Sequence, residues 1–210
     1  MSRYLVEIFE DEELVGKIKR RLPYLFQLAE LESSRAGKTG MEVGSIREKI
    51  IVALLIYKFG ETSVETEIPI TEPEVDVKLF GYPISIKTIT GKRLAGVKLI
   101  WTVDAQKARE FYENYYPKCD MLLVQVNWND TGGFYYIPLN AQKRVFDKLG
   151  RKNYIRLPRP GTNPRGVEFT KEALSNLVED SESRSILVNW QRTKIEFNPY
   201  KRWVDLWRKD

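Results

Sequence analysis

Leu14, Ile18, Leu22, Leu25 and Leu28 recur at helical spacing between Asp11 and Glu32, which predicts an amphipathic helix kinked at Pro23. Ser33 to Ser45, with Gly37, Gly40 and Gly44, reads as a loop. A second helix is predicted from Ile46 to Tyr57; Ile50 through Tyr57 is apolar all round, the pattern of a helix buried on every side. Strand patterns follow at Val64–Ile70, Val75–Phe80 and Ile84–Ile89. Ala108, Phe111, Tyr112 and Tyr115 mark a helix over Val103–Tyr115, and strands are predicted at Met121–Trp128 and Phe134–Ile137. Helices near Ala141–Leu149, closed by Gly150, and Lys171–Val178 complete the series. No repeat or linker divides this order, so residues 1–210 read as one α/β domain with a mixed sheet. In the tail, Trp203, Leu206 and Trp207 stand at helical spacing, suited to a dimer contact or to a cap on the core.

Composition narrows the chemistry. With 42% hydrophobic and 30% charged residues, the 210-residue chain has a globular balance. It contains no histidine, which excludes His-ligated zinc, HNH-type nuclease chemistry and Ser–His or Cys–His nucleophile pairs. A single cysteine, Cys119, excludes an intrachain disulfide and a multi-cysteine zinc site, and fits a reducing compartment. No apolar run reaches membrane-spanning length, and the acidic start (Glu7, Glu10, Asp11, Glu12, Glu13) is unlike a signal peptide. The expectation is a cytoplasmic protein without a membrane partner, whose chemistry comes from carboxylates, lysines and hydroxyls. Gly37-Lys38-Thr39 is no phosphate-binding Walker loop, because the required earlier glycine falls on Glu32.

The net charge of +5 is unevenly placed. Lys143 to Lys171 carries nine basic residues against Asp147 and Glu168, a local +7 that leaves −2 for the rest. Such an excess suits a polyanion, although a solvated basic face has the same composition. Within residues 140–171, Arg156 to Gly166 forms a stiff Pro- and Gly-rich loop bearing Arg and Asn, the side chains that read guanine and adenine edges bidentately. Arg159, Asn163 and Arg165 are the candidates for base contacts; Lys143, Lys152 and Arg156 are those for phosphate contacts. Met41, between Gly40 and Glu42, is either a wedge that enters a base step from the minor groove or a satellite core contact. The frequent aromatics could stack on bases, but Trp101, Trp128 and Trp190 sit in element-like contexts and read as core residues.

Thr71 to Lys87 reads as a hairpin. A two-residue turn at Gly81-Tyr82 would set Leu79 against Ile84, Lys78 against Ser85, Val77 against Ile86 and Asp76 against Lys87. Asp76, Lys78, Ser85 and Lys87 then share one face. A carboxylate there could hold a metal while an ammonium points at the same place; the plainer reading is a cross-strand ion pair. Upstream, Glu48 stands at the start of the apolar helix, either as a metal ligand or as the Glu of a Ser45-x-x-Glu48 capping box.

This order, a helix-borne Glu48, a strand with Asp76, a neighbouring strand ending in Ser85-Ile86-Lys87, then helix and strand, resembles the PD-(D/E)XK nuclease core over about Gly44 to Trp128. The chain departs from that pattern at Val75, where proline is usual, and at Ser85, where an acid is usual. The resemblance implies that Asp76, Glu48 and the Ile86 carbonyl hold Mg²⁺, that Lys87 orients the attacking water, and that Ser85 replaces the second acid. Glu74 and Glu110 are further choices for the missing ligand. Length, the glycine-flanked Met41 and the Gly161–Gly166 loop resemble the ThaI-type restriction endonucleases. That likeness implies a prokaryotic intracellular homodimer that cuts double-stranded DNA at a short G·C palindrome to blunt ends. A junction-selective nuclease of the same fold and a non-catalytic nucleic-acid-binding protein are the competing readings.

Overall fold

The structure is a computed structural model that describes residues 3–35, 38–39, 42–69, 72, 74–158 and 166–209. Two helices open the chain, α1 (Arg3–Glu10) and α2 (Glu12–Glu32). Asp11 caps α2 by accepting the Leu14 amide at 3.0 Å, and its other oxygen takes Lys58 at 2.5 Å. The helix runs on through Pro23, and its inward face follows Leu14, Ile18, Leu22, Phe26 and Ala29. Phe26 thus takes the place expected of Leu25, which is exposed.

Part of the predicted loop is a short hairpin, β1 (Ser34–Arg35) with β2 (Lys38–Thr39). Helix α3 (Val43–Phe59) starts three residues before the predicted Ile46, with Glu42 as its N-cap. Ser45 therefore lies inside the helix, and Glu48 is not the acid of a capping box. Nor is α3 buried all round: Arg47, Ile51 and Leu55 are buried, while Ala53 and Tyr57 are exposed. With Leu25 and Arg21 of α2 these outer residues line an apolar groove of about 270 Å³.

Next come β3 (Val64–Glu65), much shorter than the predicted Val64–Ile70, then β4 (Val77–Leu79) and β5 (Tyr82–Thr90). Helix α4 (Ala105–Asn114) crosses to β6 (Asp120–Val126), and β7 (Thr131–Ile137) follows. The remaining elements are α5 (Leu139–Leu149), α6 (Arg151–Tyr154), β8 (Ile155–Arg156), β9 (Glu168–Phe169), α7 (Lys171–Glu179), β10 (Arg184–Asn189) and α8 (Lys201–Trp207). The main sheet runs β10-β7-β6-β5-β4-β3, with β5 and β6 parallel and every other pair antiparallel. A parallel pair needs a crossover, and α4 supplies it.

Side-chain alternation along β5 and β6 divides the core. Ile84, Ile86, Leu122 and Val124 face α1, α2 and α3; Met121 and Leu123 face the layer that holds Ala108, Phe146, Phe169 and Leu174. Both faces are covered, which explains why β6 is buried along its whole length. The last helix caps nothing: no residue of α8 is buried, and Trp207 is 90% exposed. Among the described residues no helix is long and apolar enough to cross a membrane.

Candidate active site

Helical and extended backbone converge where β4 stops. Asp76 donates its amide to the Ile84 carbonyl at 2.9 Å, the last rung between β4 and β5. Beyond it β5 has an open edge. Asp76 Oδ2 fills that edge, accepting the Ile86 amide at 2.6 Å, Lys87 Nζ at 3.0 Å and Ser85 Oγ at 3.3 Å. The amide and carbonyl of one strand residue point to the same edge, so the Ile86 carbonyl also faces the Asp76 side.

The hairpin turn differs from the predicted one. It is centred on Phe80 and Gly81, both with positive φ (50° and 79°), and pairs Leu79 with Tyr82 and Val77 with Ile84. Asp76 consequently comes level with Ser85, and Lys87 reaches it diagonally rather than from directly opposite. The shift is by two positions, so the predicted faces survive. Phe80 is held in its unusual conformation by its ring contacts to Tyr4 (4.2 Å) and Phe59 (5.9 Å).

Glu48, from the first turns of α3, lines the same cleft as Asp76 and Lys87, a space of about 720 Å³. Burial and, after it, the Asp76 charge push the Glu48 carboxyl up to about 7, against the pull of Lys87. A buried carboxyl whose ionisation the Asp76 charge opposes, beside one lysine, marks a place where a cation is favourable. All donors are hard oxygens, which suits magnesium. Among the described residues no group of three or more acids, cysteines and histidines is assembled for a metal. Asp76, Glu48 and the Ile86 carbonyl, completed by water, are the set that fits.

Glu74 and Glu110 are not among the residues that line this cleft, although Glu74 is close enough to Lys87 to feel its charge. Glu74 is buried, with its backbone carbonyl near the Cys119 thiol, and burial pushes its carboxyl up to about 7 although Lys118 and Lys87 oppose this. Glu110 is exposed on α4 and accepts a hydrogen bond from Gln106 at 2.9 Å.

The opposite wall of the cleft runs from Gly96 to Trp101, and none of its residues is among the sequence-predicted site residues. The alternation of apolar Val97 and Leu99 with Lys98 is the sequence signal for it. The wall pairs with the strand edge near β9: Leu99 donates to Val167 and Phe169 to Val97, at 2.8 and 2.9 Å. Lys98 and Arg156 both reach Glu168, each at 2.5 Å. Trp101 is 70% exposed at the cleft rim and is not the core residue expected.

The basic stretch is partly neutralised within the protein. Arg144 bridges Asp180 and Glu182, and Arg156 is committed to Glu168. Lys152 is exposed, and Lys143 lies over the Tyr116 ring at 5.7 Å. Met41, Arg159, Asn163 and Arg165 lie outside the described residues.

Sequence reading also passed over a buried charge cluster behind Glu48. Glu30 of α2 receives Arg47 of α3 at 2.5 Å, Arg192 at 2.6 Å and the Trp128 indole at 2.7 Å. Arg47 also donates to Thr90 Oγ1 at 2.8 Å. This ties the helix that bears Glu48 to the end of β5.

Comparison with known proteins gives one family. The family model described as restriction endonuclease ThaI matches residues 8–209. A solved structure, "Restriction endonuclease in complex with substrate DNA", is 62% identical, covers 97% of this chain and 98% of its own, and superposes with a TM-score of 0.91. No curated protein matches.

Proposed function

The chain belongs to the ThaI restriction endonuclease family, and we propose that it cuts double-stranded DNA with Mg²⁺ at the Asp76–Lys87 cleft, as a homodimer, at a short G·C palindrome with blunt ends. Restriction endonucleases generally use divalent metal ions, and a cytoplasmic location is where such DNA would be met. The observation that carries this reading is the convergence of Asp76, Ile86, Lys87 and Glu48 on one open strand edge. The whole chain acts as a single nuclease domain, with residues 44–128 as its catalytic core and residues 140–171 as its DNA-recognition region.

Each residue has a distinct task. Asp76 and Glu48, with the Ile86 carbonyl, would hold the magnesium, which supplies Lewis-acid polarisation of the phosphate and a more acidic water. Lys87, kept in place by Asp76, orients the attacking water and offsets charge on the phosphate oxygens. Ser85 is 5% exposed and its hydroxyl fixes Asp76. It replaces the acid usual at this point without adding charge. In a low-dielectric site, one fewer carboxylate leaves Glu48 as the second anion.

A blunt cut in a palindrome needs two such sites related by a two-fold axis, which is what a homodimer provides. DNA contacts are assigned to Lys143, Lys152 and Arg156 for phosphates, to Arg159, Asn163 and Arg165 for base edges, and to Met41 as a minor-groove wedge. The structural neighbour's complex with substrate DNA supports a duplex partner.

The test is digestion of a long duplex of known sequence with and without Mg²⁺. Discrete fragments with flush ends at one G·C palindrome, only with the metal, are expected. Fragments without metal, or with staggered ends, would contradict the metal or the cleavage geometry respectively. Cutting confined to four-way junctions would support the junction-selective reading instead.

A further inference from the structure

We propose that Trp101 is a substrate-contact residue, a fixed aromatic plate at the rim of the Asp76–Lys87 cleft that packs on the sugar and base faces of the strand carrying the scissile phosphate. The proposal rests on the reading that this cleft receives that phosphate.

Three observations meet here. First, Trp101 is 70% exposed and Val103, two residues on, is 76% exposed, whereas the neighbouring Val97 and Leu99 are buried. Exposed aromatics occur elsewhere on this surface, but Trp101 stands at the rim of the cleft, where its face is open to whatever enters. Second, the wall that carries Trp101 is held at defined points although it is not a regular strand. Backbone bonds join Leu99 to Val167 and Phe169 to Val97. Lys98 is clamped on Glu168, and a Cβ added at Gly166 would fall 1.8 Å from the Ile100 carbonyl oxygen, so the two backbones touch immediately before Trp101. The indole is therefore presented by a braced backbone, and little ordering entropy remains to be lost on binding. Third, Trp101 shares its cleft with Lys87, Lys98 and the two carboxylates Asp76 and Glu48. A polyanion that enters to present a phosphate to Asp76 and Lys87 passes between this wall and α3.

Nucleic acid is the partner this chemistry suits. Deoxyribose and base faces are flat or weakly polar surfaces that an indole covers well, and such contacts tolerate any sequence. Trp101 accordingly contributes affinity and strand placement, not base discrimination. Its place beside the metal-binding carboxylates means that its loss displaces the phosphate as well as weakening binding.

The experiment compares Trp101→Ala and Trp101→Phe with the unaltered protein, using a labelled short duplex that contains the cleavage site. Trp101→Ala is expected to raise Kd and KM about 10-fold or more, with Tm little changed because the residue is mostly in water. Trp101→Phe, which keeps an aromatic face, is expected to stay within about 3-fold. DNA-induced quenching of tryptophan fluorescence is expected to be smaller in Trp101→Phe than in the unaltered protein. Unchanged Kd and KM in Trp101→Ala, or equal quenching in Trp101→Phe, would overturn the proposal. The reading of the cleft fails separately, through an Asp76→Asn protein that still cuts; duplex binding by Trp101→Ala is measured without metal and does not depend on that result.

Discussion

Asp76 Oδ2 lies 2.6 Å from the Ile86 amide nitrogen, where the next strand rung would otherwise be. The carboxylate is thus oriented by the backbone of the same residue whose carbonyl faces the cleft. Asp76→Asn retains the size and one acceptor of this side chain but removes the anion that pairs with Lys87 and that is proposed to hold the metal. Cutting is expected to fall by at least about 10³-fold, with duplex binding in the absence of metal retained. Single-turnover digestion beside an equilibrium binding curve measures both; a variant that cuts within tenfold of the unaltered protein would remove Asp76 from the site.

Glu48 gives the pH dependence. Its carboxyl is raised to about 7 by burial and by Asp76, above the ordinary value of 4.5. A raised carboxyl means that the folded state binds this proton more tightly than the unfolded chain does. The contribution is present below about 4.5 and is lost as pH rises through 7, so ionisation of Glu48 destabilises the metal-free protein over that window. Melting curves without metal should therefore fall in Tm across this range, and Glu48→Gln should flatten part of the slope. Magnesium is expected to raise Tm more at pH 8 than at pH 6, because the ligand must be ionised. An equal rise at both pH values in the unaltered protein would count against Glu48 as a ligand.

Periodicity located most of the elements: helices such as Ala141–Leu149 bury one consistent face, and the largely apolar run of Met121–Trp128 marks a strand covered on both. It also placed Asp76, Ser85 and Lys87 on one face, because a two-residue error in the turn leaves strand faces unchanged. The turn itself was misplaced because a bulky Phe80 at positive φ is unusual, and only its contacts with Tyr4 and Phe59 explain it. The start of α3 was placed late because Ser45-x-x-Glu48 imitates a cap that the earlier turn makes unnecessary. Trp101 was read as core because sequence gives its size but not which wall of which cleft it stands on. The Glu30 cluster was illegible for a different reason: its members come from positions 30, 47, 128 and 192, and no local pattern connects them.

That cluster makes a stability prediction. Arg47 and Glu30 are both under 10% exposed, and among the described residues Glu30 is the carboxylate at salt-bridge distance from Arg47. Removing one partner leaves the other as a buried charge, which costs about 3–5 kcal/mol. Glu30→Ala should lower the urea midpoint accordingly, and Arg192→Ala, at the more exposed arm, should lower it far less. Equal effects would mean that the buried arm is not the one that matters.

The basic residues should differ in how they answer to salt. Lys152 is exposed, whereas Arg156 is already paired with Glu168. Lys152→Ala is expected to reduce the slope of log K against log salt by about 1, the signature of one lost phosphate contact. Arg156→Ala should weaken binding with a slope change that Glu168→Gln moves in the opposite direction, since Glu168 competes with phosphate for the same guanidinium. A slope untouched by either lysine or arginine change would place the phosphate track elsewhere.

Gly166 joins the cleft wall to β9 with no room for a side chain. Its φ is +98°, and an added Cβ would meet the Ile100 carbonyl oxygen at 1.8 Å and the Trp101 Cα at 3.1 Å. Those are backbone atoms that cannot rotate away, so Gly166→Ala must separate the wall from β9. Gly60, the C-cap of α3, has a comparable φ of +85° but open space around its Cα. Gly60, with ψ 155°, sits in a region that only glycine adopts readily, so Gly60→Ala carries backbone strain alone, about 1–3 kcal/mol, and leaves the cleft undisturbed. Gly166→Ala should lower Tm further than Gly60→Ala and should also reduce cutting, because Lys98, Ile100 and Trp101 move with the wall. Melting temperature and single-turnover rate measured on both variants separate the two causes. Equal rates in the two proteins would show that the wall tolerates displacement and that its contact with Gly166 serves stability only.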